Sequence, residues 1–426
     1  MAIMALWPAV RIRDKPNFLP ARTISVPFSK SSVRWSAVVV LAAGFLILFV
    51  GGGSRFTIGL ALKPMVDEFG WVRGDLGIAV AMFQAVSAVC SFIAGRMADR
   101  MSLRLLLTGG LAVSGLGIGL MSFTSAPWHA VLFYGVLFAI GNGAVSITPV
   151  GVMVTRAYPG RVGLANAVAI SGMSVGQLVM IAALAFVLVA IGWRSVFVWV
   201  GLAHLLLIPV LVFAIPGKIA TAAQQASARQ GLSLREAART RQFWLLIVIY
   251  AICGLDDFFV STHVVALAQD SGVDALLAGN LLAMMGLTGL IGVVAAGAWS
   301  DRLGPVWATT ACFAMRIAVF LLVLVDQSPL SVMIFALVFG FTFLITAPLT
   351  VVFVRESFGV KNLGAISGLI TMVHQIFGGI GAYAGANIFD STGRYDIAFA
   401  ILLASSIVAL VLTLRLHRTP AGGVGA

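Results

Sequence analysis

The chain has 426 residues, of which 60% are hydrophobic and only 10% charged, with a formal net charge of +12. A soluble chain of this length carries charge on about a quarter of its positions, so a soluble globular protein is excluded, and a mean hydropathy of +1.06 agrees. Its outer surface must face lipid.

Residues 1–34 carry Arg11, Arg13, Lys15, Arg22, Lys30 and Arg34 among several prolines. The opening "MAIMALWPAV" is too short for the apolar core of a signal peptide, and no small-residue cleavage site follows. The segment reads as a disordered, basic cytoplasmic tail. Twelve apolar runs long enough to cross a bilayer as helices then follow. They lie near 36–62, 76–95, 105–125, 129–154, 164–190, 196–215, 243–268, 276–298, 306–325, 330–354, 363–389 and 396–414. The longest polar interruption, "PGKIATAAQQASARQGLSLREAARTRQ" at 216–242, parts six spans from six. Two bundles are expected, 35–215 and 243–415, with a short tail at 416–426.

With the N-terminus inside, the tails and the loops on that side hold 21 of the 27 Lys and Arg residues. The opposite loops hold four, Lys63, Arg73, Arg194 and Arg394, and Arg55 and Arg316 lie within spans. This is the positive-inside pattern. Both termini are expected in the cytoplasm, and the basic balance reflects topology, not a nucleic-acid partner. The 22 Arg against 5 Lys suit a GC-rich bacterial genome, hence a multi-pass protein of a bacterial inner (plasma) membrane. Cys90, Cys253 and Cys312 are odd in number and lie in apolar runs. They suit small buried side chains better than disulfides or a metal site.

The chain repeats itself. "GRMADRM" follows span 2 and "GAWSDRL" follows span 8, both G-x-x-x-D-R, with Asp99 and Asp301 202 residues apart. "AISG" occurs at 169–172 and 365–368, an offset of 196, and Pro149 and Arg156 match Pro348 and Arg355 at 199. Two parallel copies of a six-helix unit are the arrangement of alternating-access carriers. Each motif opens on a glycine (Gly95, Gly297). The aspartate suits a helix N-terminus, and the arginine (Arg100, Arg302) a carboxylate or helix C-terminus. Together they would form a latch that breaks and reforms as the halves rock.

On these motifs, the six-plus-six spans and the central basic loop, the chain resembles the major facilitator superfamily along nearly its whole length. Within it, "SRFTIGLALKPMVDEFGW", "GRVGLANAVAISGMSVGQ", "GWRSVF", "THVVALAQDSGV" and "HQIFGGIGAYAGANIFDSTGRYD" resemble bacterial relatives of monocarboxylate and oxalate–formate carriers. The resemblance implies an all-α membrane fold of two pseudo-symmetric six-helix bundles, acting as a monomer, with spans 3, 6, 9 and 12 outside the cavity. Ser102 replaces a common glycine, and "GPVW" after Leu303 lacks the usual basic residues, so the second latch is expected to be weaker.

Ionisable groups inside spans are costly and usually functional. Arg55 follows three glycines, about 10 Å from the outer helix end at 1.5 Å per residue. It can snorkel outward or stand on a cavity wall and bind a carboxylate through two hydrogen bonds. The resemblance favours the second role, because those carriers use a basic residue at about this position for the substrate anion. His374 lies about 16 Å into span 11, where oxalate carriers have a substrate-binding lysine; Gln375 beside it can orient a ligand. Those carriers often have an arginine at the place of Val293, so the two-cation clamp for a small dicarboxylate is incomplete and oxalate is not expected.

In span 7, "GLDDFFVSTHV" places Asp256 and Asp257 near mid-bilayer, with His263 two turns beyond Asp256 on the same face. Two adjacent carboxyls in low dielectric do not both stay ionised cheaply. One of them, not distinguishable from sequence, is expected to carry a coupling proton, unless it pairs with Arg316 or Arg55. Arg316, in span 9, is expected to be structural. Asn142, Gln177 and Gln84 are candidate cavity-lining groups or packing bonds between helices.

No nucleotide-binding G-x-x-x-x-G-K-[ST] loop, H-E-x-x-H or cysteine cluster is present. "GMSVG" fits G-x-S-x-G but lies inside a span, without the strand–turn–helix that pattern needs. Neither an enzyme nor a cofactor is expected. The expected function is secondary transport of a small, monocarboxylate-like organic anion, with protons as coupling partner. The alternatives are uptake of a vitamin-sized aromatic, efflux of a toxic amphiphile, and a sensor that no longer transports.

Overall fold

The computed structural model describes residues 30–71, 73–215 and 231–418. Residues 1–29, 72, 216–230 and 419–426 lie outside the described residues; of the disordered tail expected at 1–34, only residues 30–34 are described, and they are helical. Helix dominates, because long apolar segments in lipid must satisfy their backbone groups internally.

Among the described residues, twelve helices are long and apolar enough to span a membrane. In the first half they are α1 (Ala37–Leu62), α2 (Asp75–Arg100), α3 (Leu103–Phe123), α4 (Pro127–Ala157), α5 (Val162–Ile191) and α6 (Trp193–Ala214). The second half contributes α7 (Arg241–Asp270), α8 (Met284–Leu303), α9 (Pro305–Val325), α10 (Pro329–Phe358), α11 (Leu363–Phe389) and α12 (Asp396–Leu416). Between the halves, a one-turn helix, Leu234–Ala237, opens on a reciprocal cap between Ser233 and Glu236. The Leu232 N–H donates to the Phe358 carbonyl, tying this segment to the end of α10.

The apolar cores segregate by half. One gathers Met65, Phe83, Tyr134, Phe138 and Phe197 from the first half only. Another gathers Phe259, Phe320, Phe335, Phe339 and Phe399 from the second half only. Cores shared between halves occur near the motif end, where Ala98, Leu106 and Val152 join residues of α7 to α12. Two bundles meeting along a seam is the result.

Three spans that read as continuous are broken. α1 stops at Ser54 and resumes at Thr57. α4 breaks between Ala144 and Ile147, and α10 between Phe343 and Thr346. The second segments of α4 and α10 start 199 residues apart and carry Pro149 and Pro348 at their third positions. A proline lacks the N–H and crowds the preceding turn, so the helix restarts just before it. The repeated Pro therefore marks equivalent bends. "AISG" does not mark equivalent places. The helices holding it start at Val162 and Leu363, 201 residues apart, so an offset of 196 puts the two copies at different depths.

Candidate functional site

A cavity of about 330 Å³ lies between the bundles. Gly52, Arg55, Phe56, Ile147, Met173, Ser174 and Gln177 line it from the first half, and Tyr250, Asp257, Phe258, Met285, His374 and Gln375 are among those lining it from the second. Among the described residues, no lining residue comes from α2, α3, α6, α9 or α12.

Arg55 stands at the joint in α1. Its N–H reaches the Gly51 carbonyl at 3.4 Å and that of Phe56 reaches Gly53 at 3.3 Å, both stretched, before the helix resumes. Three glycines carry little side-chain packing to hold the helix straight there. The Tyr134 hydroxyl donates to the Arg55 carbonyl at 2.7 Å, which satisfies an acceptor the break releases. Among the described residues no carboxylate pairs with the Arg55 guanidinium; it lies 5.8 Å from the Phe56 ring centroid.

The opposite wall is a charge network. Arg316 of α9, fully buried, places Nη2 2.6 Å from Asp257 Oδ1 and Nη1 3.5 Å from Asp256 Oδ2. Its Nε also donates to the Thr342 hydroxyl at 3.2 Å. The second Asp257 oxygen lies 3.1 Å from His374 Nε2, and the His374 side chain keeps 21% of its surface exposed. Close packing of α7 on α11 makes this contact. A Cβ built on Gly254 would collide with the His374 carbonyl, so only glycine lets His374 come so near. An arginine buried with two acids is tolerable only when every charge is paired.

The two adjacent aspartates, equivalent in sequence, part ways. Asp257 faces the cavity; Asp256 turns away, accepts from the Ser406 hydroxyl of α12 at 2.9 Å and does not line the cavity. His263 follows Asp256 onto that remote side. Its Nδ1 lies 3.1 Å from the Tyr395 hydroxyl and its Nε2 3.0 Å from the Ala382 carbonyl, inside an aromatic cluster. Asn142 also lies off the cavity, its amide nitrogen 3.6 Å from a Cβ built on Gly51. Gln177 and Gln375 do line it, and Gln375 donates across the seam to the Ser91 hydroxyl at 3.4 Å. Residue spacing pairs Asp256 with His263 correctly as one face, but which face meets the cavity depends on helix rotation. Reasoning from sequence missed Tyr250 and Phe258, which line the cavity and carry no intramembrane charge to mark them. Val293 is buried in a core with α1 and α5 residues and does not line the cavity.

The loop motifs meet the opposite bundle. Asp99 accepts from the N–H groups of Gly364 and Ala365 at 2.9 and 2.8 Å. Asp301 accepts from those of Gly163 and Leu164 at 2.7 and 2.9 Å. These are the second and third N–H groups of α11 and α5, donors that a helix cannot satisfy internally. The residues at the cap positions themselves, Asn362 and Arg161, provide no side-chain cap bond. Each bundle thus caps a helix of the other. Gly95 and Gly297 make the approach possible: a Cβ on Gly95 would strike the Gly364 carbonyl, and one on Gly297 the Gly163 carbonyl at 2.7 Å. The arginines of the motif take a smaller part. Arg100 and Arg302 are exposed in the last turns of their helices, and Arg156 is the cation beside Asp99, at 3.9 Å.

The Major Facilitator Superfamily profile matches residues 44–256 and 246–425, almost the whole chain. The chain belongs to the Major Facilitator Superfamily. This superfamily member is a multi-pass membrane transporter. It is 24% identical over 405 residues to the MFS-type transporter YcxA of Bacillus subtilis (strain 168), covering 90% of this chain and 96% of that one. It is 27% identical over 391 residues to monocarboxylate transporter 13 of Bos taurus, covering 89% of each. FucP, a superfamily transporter crystallised in the outward conformation, superposes with a TM-score of 0.68 at 16% identity, over 90% of this chain and 100% of its own. At that identity the likeness shows the fold.

Proposed function

We propose that this transporter moves a small organic anion together with a proton across a bacterial plasma membrane by alternating access. The observation that carries the reading is Arg55, a cation at a helix break on the cavity wall, with no carboxylate of the described protein against it. An arginine left so in a spanning segment is costly, and a carboxylate guest would complete it through two parallel hydrogen bonds. The similarity to monocarboxylate transporter 13 supports the same substrate chemistry.

Charge balance supports the proton. Asp256, Asp257 and Arg316 sum to one negative charge, in a setting where net charge is expensive. One proton held between Asp257 and His374 neutralises the group. Asp257 is the carrier in this proposal, because it meets both His374 and the cavity, whereas Asp256 and His263 meet neither. With the basic loops inside, the trans-bundle caps close the cytoplasmic end, which describes an outward-facing state. Separation of the bundles then exposes the four capped N–H groups to water, which can satisfy them at modest cost, so the latch is reversible.

The test is uptake of radiolabelled monocarboxylates into proteoliposomes, with and without a pH gradient, acidic outside. Accumulation that requires the gradient and is lost in Arg55→Gln supports the reading. Uptake that is indifferent to Arg55 and abolished only by Arg316→Gln refutes the site.

A further inference from the structure

We propose that the anion carries an aromatic or comparably bulky apolar body, and that the bare face of Gly286 on α8 is the slot that receives it; this rests on the organic-anion reading above. Size is the first argument. An apolar protein cavity of about 150 Å³ is enough to bind benzene, and the cavity here measures about 330 Å³. A two- or three-carbon acid would leave most of it unfilled. A ring joined to a carboxylate by a short chain fits it.

The walls are the second argument. Phe56, Phe258, Phe343, Met173, Met285 and Tyr250 surround the space with rings and thioethers, surfaces suited to an aromatic guest. Among the described residues of the lining, Arg55 is the cation that no carboxylate pairs with, since His374 is engaged with Asp257, and it is enough to orient one carboxylate and no more.

Gly286 is the third argument. A Cβ built on it meets nothing within 4 Å, although the residue lines the cavity. Neighbouring lining glycines differ: Gly289 faces the Gly340 carbonyl at 3.0 Å, and Gly52 faces the Met173 backbone at 2.6 Å. Those two are small so that helices can touch. At Gly286 no atom of the described residues stands where a side chain would go, and its missing side chain leaves room in the cavity itself.

Phenylpyruvate and pyruvate share one α-keto acid head and differ by a phenyl ring, so they isolate the body from the anchor. Full-length protein in proteoliposomes is assayed by counterflow with each acid. Burial of a phenyl ring is expected to lower the half-saturating concentration of phenylpyruvate at least tenfold below that of pyruvate. Gly286→Leu, which fills the slot, should collapse that ratio toward one, and Gly286→Ala should give an intermediate value. A wild-type ratio of one or in favour of pyruvate overturns the proposal, as does a ratio unchanged by both variants. If pyruvate is carried in an Arg55-dependent manner and phenylpyruvate is not, this proposal alone fails. If neither acid is carried, the organic-anion reading fails and takes this one with it.

Discussion

Asp257 and Arg316 meet at 2.6 Å behind the cavity wall, and the other oxygen of the same carboxylate reaches His374 at 3.1 Å. One acid thus joins a fully buried cation to a histidine that opens on the cavity. In the proposed mechanism a change of protonation on the cavity side reaches the arginine that pairs α9 with α7.

That linkage separates coupling from binding. His374→Gln keeps a neutral hydrogen-bonding group but cannot take a proton. Proteoliposome counterflow at equal pH is expected to persist, whereas accumulation driven by a pH gradient should fall at least tenfold, a loss of about 1.4 kcal/mol or more of coupling. Asp257→Asn should behave alike, and Asp256→Asn should retain gradient-driven uptake.

Arg316 is the shared counter-ion of two buried acids. Removing one partner of a buried ion pair costs about 3–5 kcal/mol, since the remaining charge stays buried. Arg316→Gln should lower the melting temperature in detergent, and adding Asp257→Asn should recover part of the loss. Equal melting of Arg316→Gln and wild type would show that the pair is not holding α7 to α9.

In the proposed cycle the trans-bundle caps hold the motif end closed. A hydrogen bond to a charged group is worth about 1.5–3 kcal/mol, and each aspartate accepts two. Asp99→Asn and Asp301→Asn should each shift the population toward a state open at this end, and the double variant further. Spin labels at the exposed Arg100 and Lys361 positions measure this by pulsed electron resonance as a growing long-distance component. Gly95→Val, whose side chain meets the Gly364 carbonyl, should produce the same component by steric means.

At the opposite end, Glu68 accepts from Trp193 Nε1 at 2.6 Å and from Arg194 Nη1 at 3.0 Å. These bonds hold its carboxyl below the ordinary value of 4.5, the Arg194 hydrogen bond contributing most. A lowered folded-state value means the stabilisation is complete above about pH 5 and is lost as pH falls through the lowered value. The pair is exposed, so its worth is below about 1 kcal/mol. Glu68→Gln should leave melting at pH 7 nearly unchanged and flatten its acid limb; a large loss at neutral pH would contradict this.

Much of this was legible in the chain itself. Twelve apolar runs and the one-sided distribution of Lys and Arg depend only on what each residue costs in lipid, which is local. The repeated Pro149 and Pro348 were readable for the same reason, since proline acts on its own turn. The "AISG" match misled because four small or apolar residues are common in any span and carry no constraint on register. The break at Arg55 was not read from "GGGS", and its consequence, a carbonyl received by Tyr134, needed a second helix.

The sequence by itself determined that this is a twelve-span, twofold-repeated membrane protein with a handful of charges too expensive to be accidental. Only the tertiary structure decided that Asp257 and not Asp256 faces the cavity, that Arg316 is their shared counter-ion, and that Asp99 and Asp301 cap helices of the opposite bundle. The reason is geometric. Spacing along a helix says which residues share a face, but the rotation of that helix is set by contacts with partners far away in the chain.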